Sequence, residues 1–321
     1  MALGALGAVV SAVEEGAQAG APPFFMRNAA WALSSFFWGT PTPDVSALRP
    51  ALPAVVALIN NSDAEVTTEA LWAAAHFTDG GDDHIHAAIE SGLFLRVLAE
   101  LSRQDPATQA PCLRTVGVVL TGSLGYVRAA VGMGVIPLLF ESLKSARGTA
   151  CKDACWDLSM IAATGQEDYI AALLSSPYVP DLHRVLTESR TGDNGGNDNE
   201  EEAEEIRTMV GWIFVNIVVY SSDTLLARSN LRLLTEALGK CIAIRDPRLI
   251  SEAVDGIKKL LCVGGANVVS EWIREIGALD ALRALESHPR RDIAQSCSDL
   301  IARYFGSADN LGNENEDVTL V

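Results

Sequence analysis

The chain has 321 residues, of which 49% are hydrophobic and 6% aromatic, so it has enough apolar side chains to bury a large interior. Its formal net charge is −17, from 24 basic and 41 acidic residues. This balance argues against a nucleic-acid partner, which requires a basic surface, and favours basic peptides or proteins. The sequence has no apolar run of about 18 residues, so neither a membrane span nor a membrane partner is expected.

The first predicted element is a helix within residues 1–20. It lacks a positively charged leader, so we interpret it as the end of an incomplete first repeat rather than as a signal peptide. A second helix is predicted over Arg27–Phe37, because a Pro-Pro pair precedes it and Gly39 with two further prolines follows it.

From Asp44 onward the pattern predicts a short helix, a middle helix and a longer third helix, several times over. Asp44 is the predicted N-cap of the first short helix. Gly92 and Gly134, which lie 42 residues apart, mark predicted bends between first and second helices. The further helices predicted in the first half are Leu52–Ile59, Val66–Phe77, Asp83–Ser91, Leu93–Leu101, Ala107–Leu120, Tyr126–Met133, Val135–Leu143 and Gly148–Ala163.

One position of the longer helix recurs along the chain. Trp31, Trp72, Arg114 and Trp156 are separated by 41, 42 and 42 residues, and Trp212 follows after 56. Counterparts near Asp255 and Cys297 complete a set of seven predicted anchor helices. A period near 42 predicts an all-α helical solenoid over residues 1–305.

The longer interval before Trp212 contains the polar, glycine-rich and acidic stretch 191–205. We predict that this stretch is a disordered insertion and that the anchor helix follows it over Ile206–Tyr220. It is interpreted as a solvated surface loop. The alternative is that it attracts basic cargo or competes with it for the groove. The tail 306–321 shows no apolar periodicity and is predicted to be flexible.

The anchors have a common face, because residues at i and i+4 point to the same side of a helix. The indoles are therefore predicted to line one continuous groove, in which cationic side chains would contact their faces. Acidic side chains three residues before an anchor, Glu69 and Asp153, are candidates to pair with the ligand, and Asp79 and Asp157 are further ones. The alternative is that each Trp fills the core between helices.

Several segments resemble the armadillo repeats of importin alpha, the adaptor that carries basic nuclear-localisation signals to the import receptor. The similarity extends to the last helix, which resembles the closing repeat of that family. The segments are Arg27–Ser35, Pro50–Pro53, Glu69–Ala73, Thr78–Gly80, Leu113–Gly117, Thr121–Gly122, Lys152–Trp156 and Ala294–Phe305.

The resemblance implies an armadillo-repeat right-handed superhelical solenoid of about seven three-helix repeats, similar to the fourth to tenth repeats of the family. It also implies a nuclear import adaptor whose minor signal-binding site falls on Trp156 and Trp212 and whose major site survives at its edge. The implied peptide-binding residues are Asn28, Trp31, Glu69, Trp72, His76, Arg114, Thr121, Gly122, Lys152, Asp153, Trp156, Ser159, Trp212 and Asn216.

The partners that the resemblance implies are basic signal-bearing cargo proteins, and the implied location is the cytoplasm and the nucleus. The last two repeats would contact an export receptor. We expect the first three family repeats and the basic segment that binds an importin-beta-type receptor to have no counterpart in this sequence.

The sequence departs from the family where most anchors are followed by Asn at i+4. Ser35, Val118 and Met160 stand at such positions, Asn216 is retained, and Met209 replaces an acidic residue before Trp212. Loss of these amides weakens the predicted hold on the ligand backbone. The alternative function is therefore an armadillo scaffold with a degenerate signal-binding site that binds another protein partner.

No catalytic residue, cofactor or metal site is predicted. His84 and His86 lie beside two aspartates, but acidic residues are common at a helix start, and we interpret this group as structural. Cys151 and Cys155 share a helix face and are interpreted as core residues, and all cysteines are predicted to be reduced. No nucleophile motif and no phosphate-binding loop is apparent, so the chain is predicted not to be an enzyme.

Overall fold

The computed structural model describes residues 2–39, 43–145, 148–187 and 197–306. Every regular element in these ranges is a helix. The chain divides into two compact units, Met1–Thr164 and Gly165–Val321. The predicted all-α fold is confirmed.

The first unit contains one leading pair of helices and three sets of three. A turn of 3-10 helix, Arg49–Ala51, joins α3 to α4. Asp44 caps α3 as predicted, because its side chain accepts a hydrogen bond from the backbone N–H of Ser46. The helices are α1 (Ala2–Ala19), α2 (Pro23–Phe37), α3 (Val45–Leu48), α4 (Leu52–Ile59), α5 (Ala64–Thr78), α6 (Asp82–Glu90), α7 (Leu93–Leu101), α8 (Pro106–Thr121), α9 (Leu124–Gly132), α10 (Val135–Ser145) and α11 (Gly148–Ala163).

The second unit repeats the same order of short, middle and long helices. Its long helices are α14, α17 and α20, and they carry Trp212, Asp255 and Cys297, as the period predicts. The helices are α12 (Glu167–Leu174), α13 (Val179–Thr187), α14 (Asn197–Tyr220), α15 (Asp223–Ala227), α16 (Leu231–Cys241), α17 (Pro247–Val263), α18 (Ala266–Glu275), α19 (Ala278–Leu285) and α20 (Arg291–Phe305).

Two helix starts differ from the sequence prediction by four or more residues, and several others differ by one or two. Helix α2 begins at Pro23 rather than at Arg27, because proline is favoured in the first turn, where its missing N–H has no helical partner to lose. Helix α14 begins at Asn197 rather than at Ile206, so residues 197–205 are helical and not part of a disordered insertion. Glu200 lies in the first turn of this helix, close to the positive end of the helix dipole, which favours an acidic side chain. Residues 191–196 and the predicted flexible tail from 307 lie outside the described residues.

The long helices pack side by side within each unit. Helix α5 contacts α2 and α8, and α8 contacts α11, while in the second unit α17 contacts α14 and α20. The core lies between these helices and their middle helices, with fully buried side chains such as Leu33, Phe77, Leu113 and Leu158. Each repeat therefore buries its apolar face against its neighbours, as expected for a repeat protein.

Polar contacts between equivalent positions set the register of neighbouring repeats. The ring Nε2 of His84 donates to the carbonyl of Pro43 at 3.1 Å, and the Tyr126 hydroxyl donates to the carbonyl of Asp82 at 3.1 Å. In the second unit the Lys259 ammonium donates to the carbonyl of Val219, at the end of the preceding long helix, at 2.9 Å. These contacts span 40 to 44 residues, close to the repeat period.

Two further properties bear on the class of protein. Cys112, Cys151, Cys155, Cys241, Cys262 and Cys297 are all free thiols in the described part of the chain. None of the described helices is by itself long and apolar enough to cross a membrane, although one bent pair meets that test on length and composition.

The bend between α6 and α7 depends on a glycine. Gly92 has φ of 78°, a left-handed conformation that costs other L-residues roughly 1–2 kcal/mol. A methyl group at this position would meet no atom within 4 Å, so only the backbone conformation matters there. The prediction that Gly92 and Gly134 mark bends is confirmed, because both have positive φ.

We expect Gly92→Ala to lower the free energy of unfolding by about 1 kcal/mol. The matched control is Gly132→Ala, which also adds a methyl group in open space but at the last residue of α9, where φ is not positive. There alanine is the better helix former and should be neutral or stabilising. Urea unfolding followed by circular dichroism measures both, and equal effects of the two substitutions would contradict the argument.

Candidate functional site

Four predicted anchors lie on the four consecutive long helices of the first unit. Trp31 is on α2, Trp72 on α5, Arg114 on α8 and Trp156 on α11. We call this set the anchor row. Since these helices contact one another in that order, the anchors follow the direction in which the repeats stack.

The indoles of the anchor row reach the protein surface instead of filling the core. Trp31 is 62% exposed and Trp156 is 37% exposed, while Trp72 is half-buried. Trp212 in the second unit is also half-buried. The alternative that these indoles are core residues is therefore wrong for Trp31 and Trp156.

Aromatic stacking connects α2 to α5 along the row. The ring of His76 stacks on Trp38 with centroids 5.4 Å apart and rings inclined by 14°, and on Trp72 at 6.2 Å and 30°. Ser34 Oγ lies 2.9 Å from Nδ1 of His76, which orients the imidazole between the indoles. Burial lowers the pKa of His76, and the hydrogen bond with Ser34 partly offsets this, so the neutral ring is favoured.

An ion pair connects α5 to α8. The Arg114 guanidinium donates to both carboxylate oxygens of Asp79, at 3.0 and 3.2 Å, and both side chains are exposed. Exposed pairs of this kind are worth about 0–1 kcal/mol, so the contact positions Arg114 more than it stabilises the fold. Asp79, proposed from the sequence as a partner for ligand charges, is thus already paired within the protein.

Beyond this ion pair, Arg114 and Trp156 line the same surface pocket, which has a volume of about 290 Å³. The predicted site residues Thr121, Gly122 and Asp153 line it as well. The pocket thus collects side chains from four elements of the first unit, which are α5, α6, α8 and α11 together with the adjoining turns.

Two carboxyl groups of α11 belong to this pocket and differ in burial. Asp153 is half-buried, and its pKa is raised by burial although Arg114 and Lys152 act in the opposite direction. Asp157 is fully buried, and its pKa is raised well above the ordinary range, mainly by burial and also by the charge of Asp153. Burial thus disfavours the charged form of the Asp157 carboxyl.

The other predicted site residues are distributed as follows. Asn28 and Thr121 are exposed, and Glu69, Gly122 and Lys152 are half-buried. Ser159 is buried, and its hydroxyl donates to the carbonyl of Trp156 at 2.7 Å. Asn216 is half-buried on α14 with Trp212, in the second unit, and a single site formed by Trp156 and Trp212 stays a prediction.

Sequence reasoning missed two exposed aromatic side chains close to the row. Phe24 and Trp38 are 67% and 77% exposed, and they lie seven residues before and after Trp31. A spacing of seven is close to two helical turns and places Phe24 and Trp31 on one face of α2, while Trp38 directly follows the last residue of that helix. The seven-residue spacing is the sequence signal by which Phe24 and Trp38 could have been found.

No group of three or more His, Cys, Asp or Glu side chains suited to a metal ion occurs in the described ranges. His84 is buried against Phe77, with ring centroids 5.1 Å apart, and bonds to the Pro43 carbonyl. His86 lies on the surface with Nε2 3.3 Å from a Glu90 carboxylate oxygen. The two histidines therefore serve separate structural contacts.

Comparison with curated proteins identifies importin alpha subunits as relatives. The chain is 28% identical over 290 residues to importin subunit alpha-1a of Oryza sativa subsp. japonica, covering 87% of this chain and 52% of that protein. It is 28% identical over 291 residues to importin subunit alpha-4 of Arabidopsis thaliana, with the same coverage of 87% and 52%. The chain spans about half the length of these curated relatives. No family model matches it.

Comparison with solved structures identifies armadillo-repeat proteins. A designed armadillo repeat protein in complex with the peptide (KR)4 aligns with a TM-score of 0.61 and 20% identity, covering 79% of this chain and 99% of that one. A second designed armadillo repeat protein aligns with a TM-score of 0.60 and 20% identity, covering 77% and 97%. The resemblance to importin alpha and the armadillo-repeat fold are both confirmed.

The raised pKa of Asp157 predicts how stability depends on pH. The folded state holds the proton more tightly than the unfolded state, whose pKa is near the ordinary 3.8. The unfolded state therefore gains stability relative to the folded state as pH rises from that value to the folded pKa. Asp157→Asn removes this linkage.

We expect the stability of the wild type relative to Asp157→Asn to fall as pH rises above about 4, since ordinary aspartates ionise there. Denaturant unfolding at a series of pH values measures the difference. Asp83→Asn changes an exposed carboxyl on α6 and is the control. Parallel pH profiles for wild type and Asp157→Asn would contradict the assignment of Asp157.

Proposed function

We propose that the chain is an importin-alpha-like adaptor that binds basic nuclear-localisation signals along the anchor row and Trp212. The observation that carries this proposal is the row itself, with surface indoles and Arg114 on successive contacting helices. The similarity to importin alpha subunits and the armadillo-repeat fold support it. The designed armadillo repeat protein among these comparisons was solved with the basic peptide (KR)4.

The chemistry of the row suits long cationic side chains. A lysine or arginine stem that lies across an indole gains about 0.5–2 kcal/mol from cation–π attraction, with a further gain from burial of its methylene groups. The net charge of −17 attracts a basic segment over longer distances and raises its association rate. Glu69 and Asp153 are half-buried carboxyl groups close to the anchors in sequence.

The backbone of a bound peptide is held less well than in the family pattern. Val118 and Met160 carry no hydrogen-bonding group at the i+4 position, and the Ser35 hydroxyl donates to the carbonyl of Trp31 at 2.9 Å. His76 is oriented by Ser34 and stacks with two indoles. We infer that affinity in this protein depends on side-chain contacts more than on main-chain hydrogen bonds.

The proposal extends to partners and location. Cargo with basic signals would be the ligand, the C-terminal repeats would contact an export receptor, and the protein would move between cytoplasm and nucleus. No contact with an import receptor of the importin beta type is proposed. We infer a binding protein and not an enzyme, because the row presents indoles and a guanidinium at the surface and the named relatives are importin subunits.

A second candidate is an armadillo scaffold that binds a different protein partner. Val118 and Met160 favour it, because they place apolar side chains where a signal-binding groove uses amides. The two candidates differ in their response to basic peptides. The scaffold requires no affinity for them beyond weak charge attraction.

Removal of two anchors tests the adaptor. We expect Trp156→Ala combined with Trp212→Ala to weaken binding of a bipartite basic peptide at least about fivefold, because two cation–π contacts are lost. Isothermal titration gives the affinities, and Trp272→Ala on α18, which lies outside the anchor positions, is the control. Equal weak binding by wild type and double variant would favour the scaffold.

Restoring the amides tests the role of the i+4 positions. We expect Val118→Asn with Met160→Asn to raise the affinity for the same peptide, by about 2- to 10-fold for each hydrogen bond regained. Val118→Leu with Met160→Leu is the control, because it changes both side chains without adding an amide. No gain with the asparagines would mean that the ligand backbone does not pass these positions.

A further inference from the structure

A second surface pocket, with a volume of about 470 Å³, lies on the second unit. It is formed by two neighbouring turns, of which one joins α12 to α13 and the other joins α15 to α16. We call it the turn pocket. Apolar side chains from all four helices line it, among them Leu174, Val179, Leu225 and Leu233. The three leucines are only half-buried, so an apolar surface faces the solvent.

The polar side chains of the turn pocket are already bonded to the backbone, with one exception. The hydroxyl groups of Ser175 and Ser229 donate to carbonyls of the preceding turn at 3.2 and 2.8 Å. The side chains of Ser176 and Asn230 accept from backbone N–H groups at 3.4 and 3.2 Å. The guanidinium of Arg228 is exposed and has no hydrogen bond or ion pair within the described residues. The turn pocket therefore combines apolar walls with one available cation.

This combination favours a segment in which apolar side chains lie next to a carboxylate. Apolar side chains gain free energy when the walls remove them from water. A guanidinium binds a carboxylate through two parallel hydrogen bonds, which also orient the segment. A basic segment would leave Arg228 without a partner, and a purely polar one would leave the apolar walls uncovered.

The chain itself contains such a segment in the tail 307–321, outside the described residues. The charged residues of this tail are all acidic. Glu316 and Asp317 stand directly before Val318, and Leu320 and Val321 follow closely. Carboxylates and apolar side chains are thus combined within six consecutive positions, as the turn pocket requires.

The last described residues lie on the same edge of the second unit as the turn pocket. The hydroxyl of Tyr304, near the end of α20, is 3.5 Å from Sγ of Cys262, near the end of α17. A methyl group added at Gly264, directly after α17, would lie 3.0 Å from Cδ1 of Leu231, the first residue of α16. Leu231 directly follows Asn230, which lines the pocket. A short series of contacting helix ends therefore connects the start of the tail to the turn pocket.

The tail is long enough to cover this distance. Contacting helices lie about 8–10 Å apart, so two or three such steps amount to about 20–30 Å. An extended chain covers roughly 3.3 Å per residue, which allows Val318 to lie up to about 40 Å from Gly306. Because the segment is tethered to the pocket, its effective concentration is on the order of millimolar, and a weak interaction is enough to hold it.

We propose that residues 316–321 of this chain's own tail dock in the turn pocket. Val318 and Leu320 lie against the apolar walls, and a carboxylate of the acidic pair before them binds Arg228. The docked tail covers the half-buried leucines and gives the arginine its partner. This inference concerns the second unit alone and does not depend on the binding of basic signals.

Photo-cross-linking on the full chain tests the contact. A benzophenone-bearing amino acid, which is itself apolar, replaces Leu320, and the products are mapped by mass spectrometry. We expect cross-links to residues 171–180 and 225–234, and a yield at least about threefold lower in Arg228→Gln. Arg248→Gln changes an exposed arginine at the opposite end of α17 from Gly264 and should leave the yield unchanged.

Hydrogen exchange of the full chain measures the same contact without a cross-linker. We expect Val318→Ser with Leu320→Ser to speed exchange in residues 174–180 and 225–234 by at least about threefold, because the turns lose their cover. Leu311→Ser changes the other leucine of the tail and is the control. All three substitutions lie outside the described helices, so the measurement does not require a change in the fold.

A mixture of nitrogen-15-labelled and unlabelled chains identifies the source of the docked segment. We expect each cross-linked product to carry a single isotope, because the tail and the pocket belong to one chain. Products that carry both isotopes would assign the segment to a second copy and overturn the proposal. Cross-links spread over the whole chain, or equal exchange rates in wild type and the double serine variant, would overturn it as well.

Discussion

The side-by-side packing of the long helices is the interaction on which the rest of the structure depends. In the first unit α2, α5, α8 and α11 contact one another in sequence, and each carries fully buried side chains, such as Leu33, Leu71, Leu113 and Leu158. Because each helix buries one face against its neighbours, the opposite face of each points to a common side. Residues that recur with the repeat period therefore form a row on that side. A change of register between the helices would place them on different sides.

Contacts along the row show that side chains of one repeat orient the side chains of its neighbours. His76 is oriented by Ser34 and stacks on Trp38, both from the preceding repeat, and Asp79 positions Arg114 of the following one. Each contact joins a side chain to a partner about one repeat away, so the chemistry at any anchor depends on two helices. The surface is thus aromatic and hydrogen-bonded at α2 and α5, and charged at α8 and α11.

The pocket near Arg114 shows how a repeat surface acquires a distinct local chemistry. Gly117 leaves room on α8, Asp157 fills it with a carboxyl, and Trp156 lies over the same place. The absence of a side chain on one helix thus determines how deeply an acid on the next helix is buried. Burial in turn raises the pKa of that acid, because it removes the water that would solvate the charge.

The sequence alone determined the helices and the anchors, because apolar periodicity and a repeat of about 42 residues are local properties of the chain. Helices such as Leu93–Leu101 and Gly148–Ala163 have the predicted bounds. Only the tertiary structure decided the depth and the partners of the side chains. Asp79 and Asp157 look alike in the sequence, yet one forms an exposed ion pair and the other is buried without a partner in the described part of the chain. Periodicity gives the face of a helix, whereas burial depends on the residue that the neighbouring helix places opposite, some forty positions away.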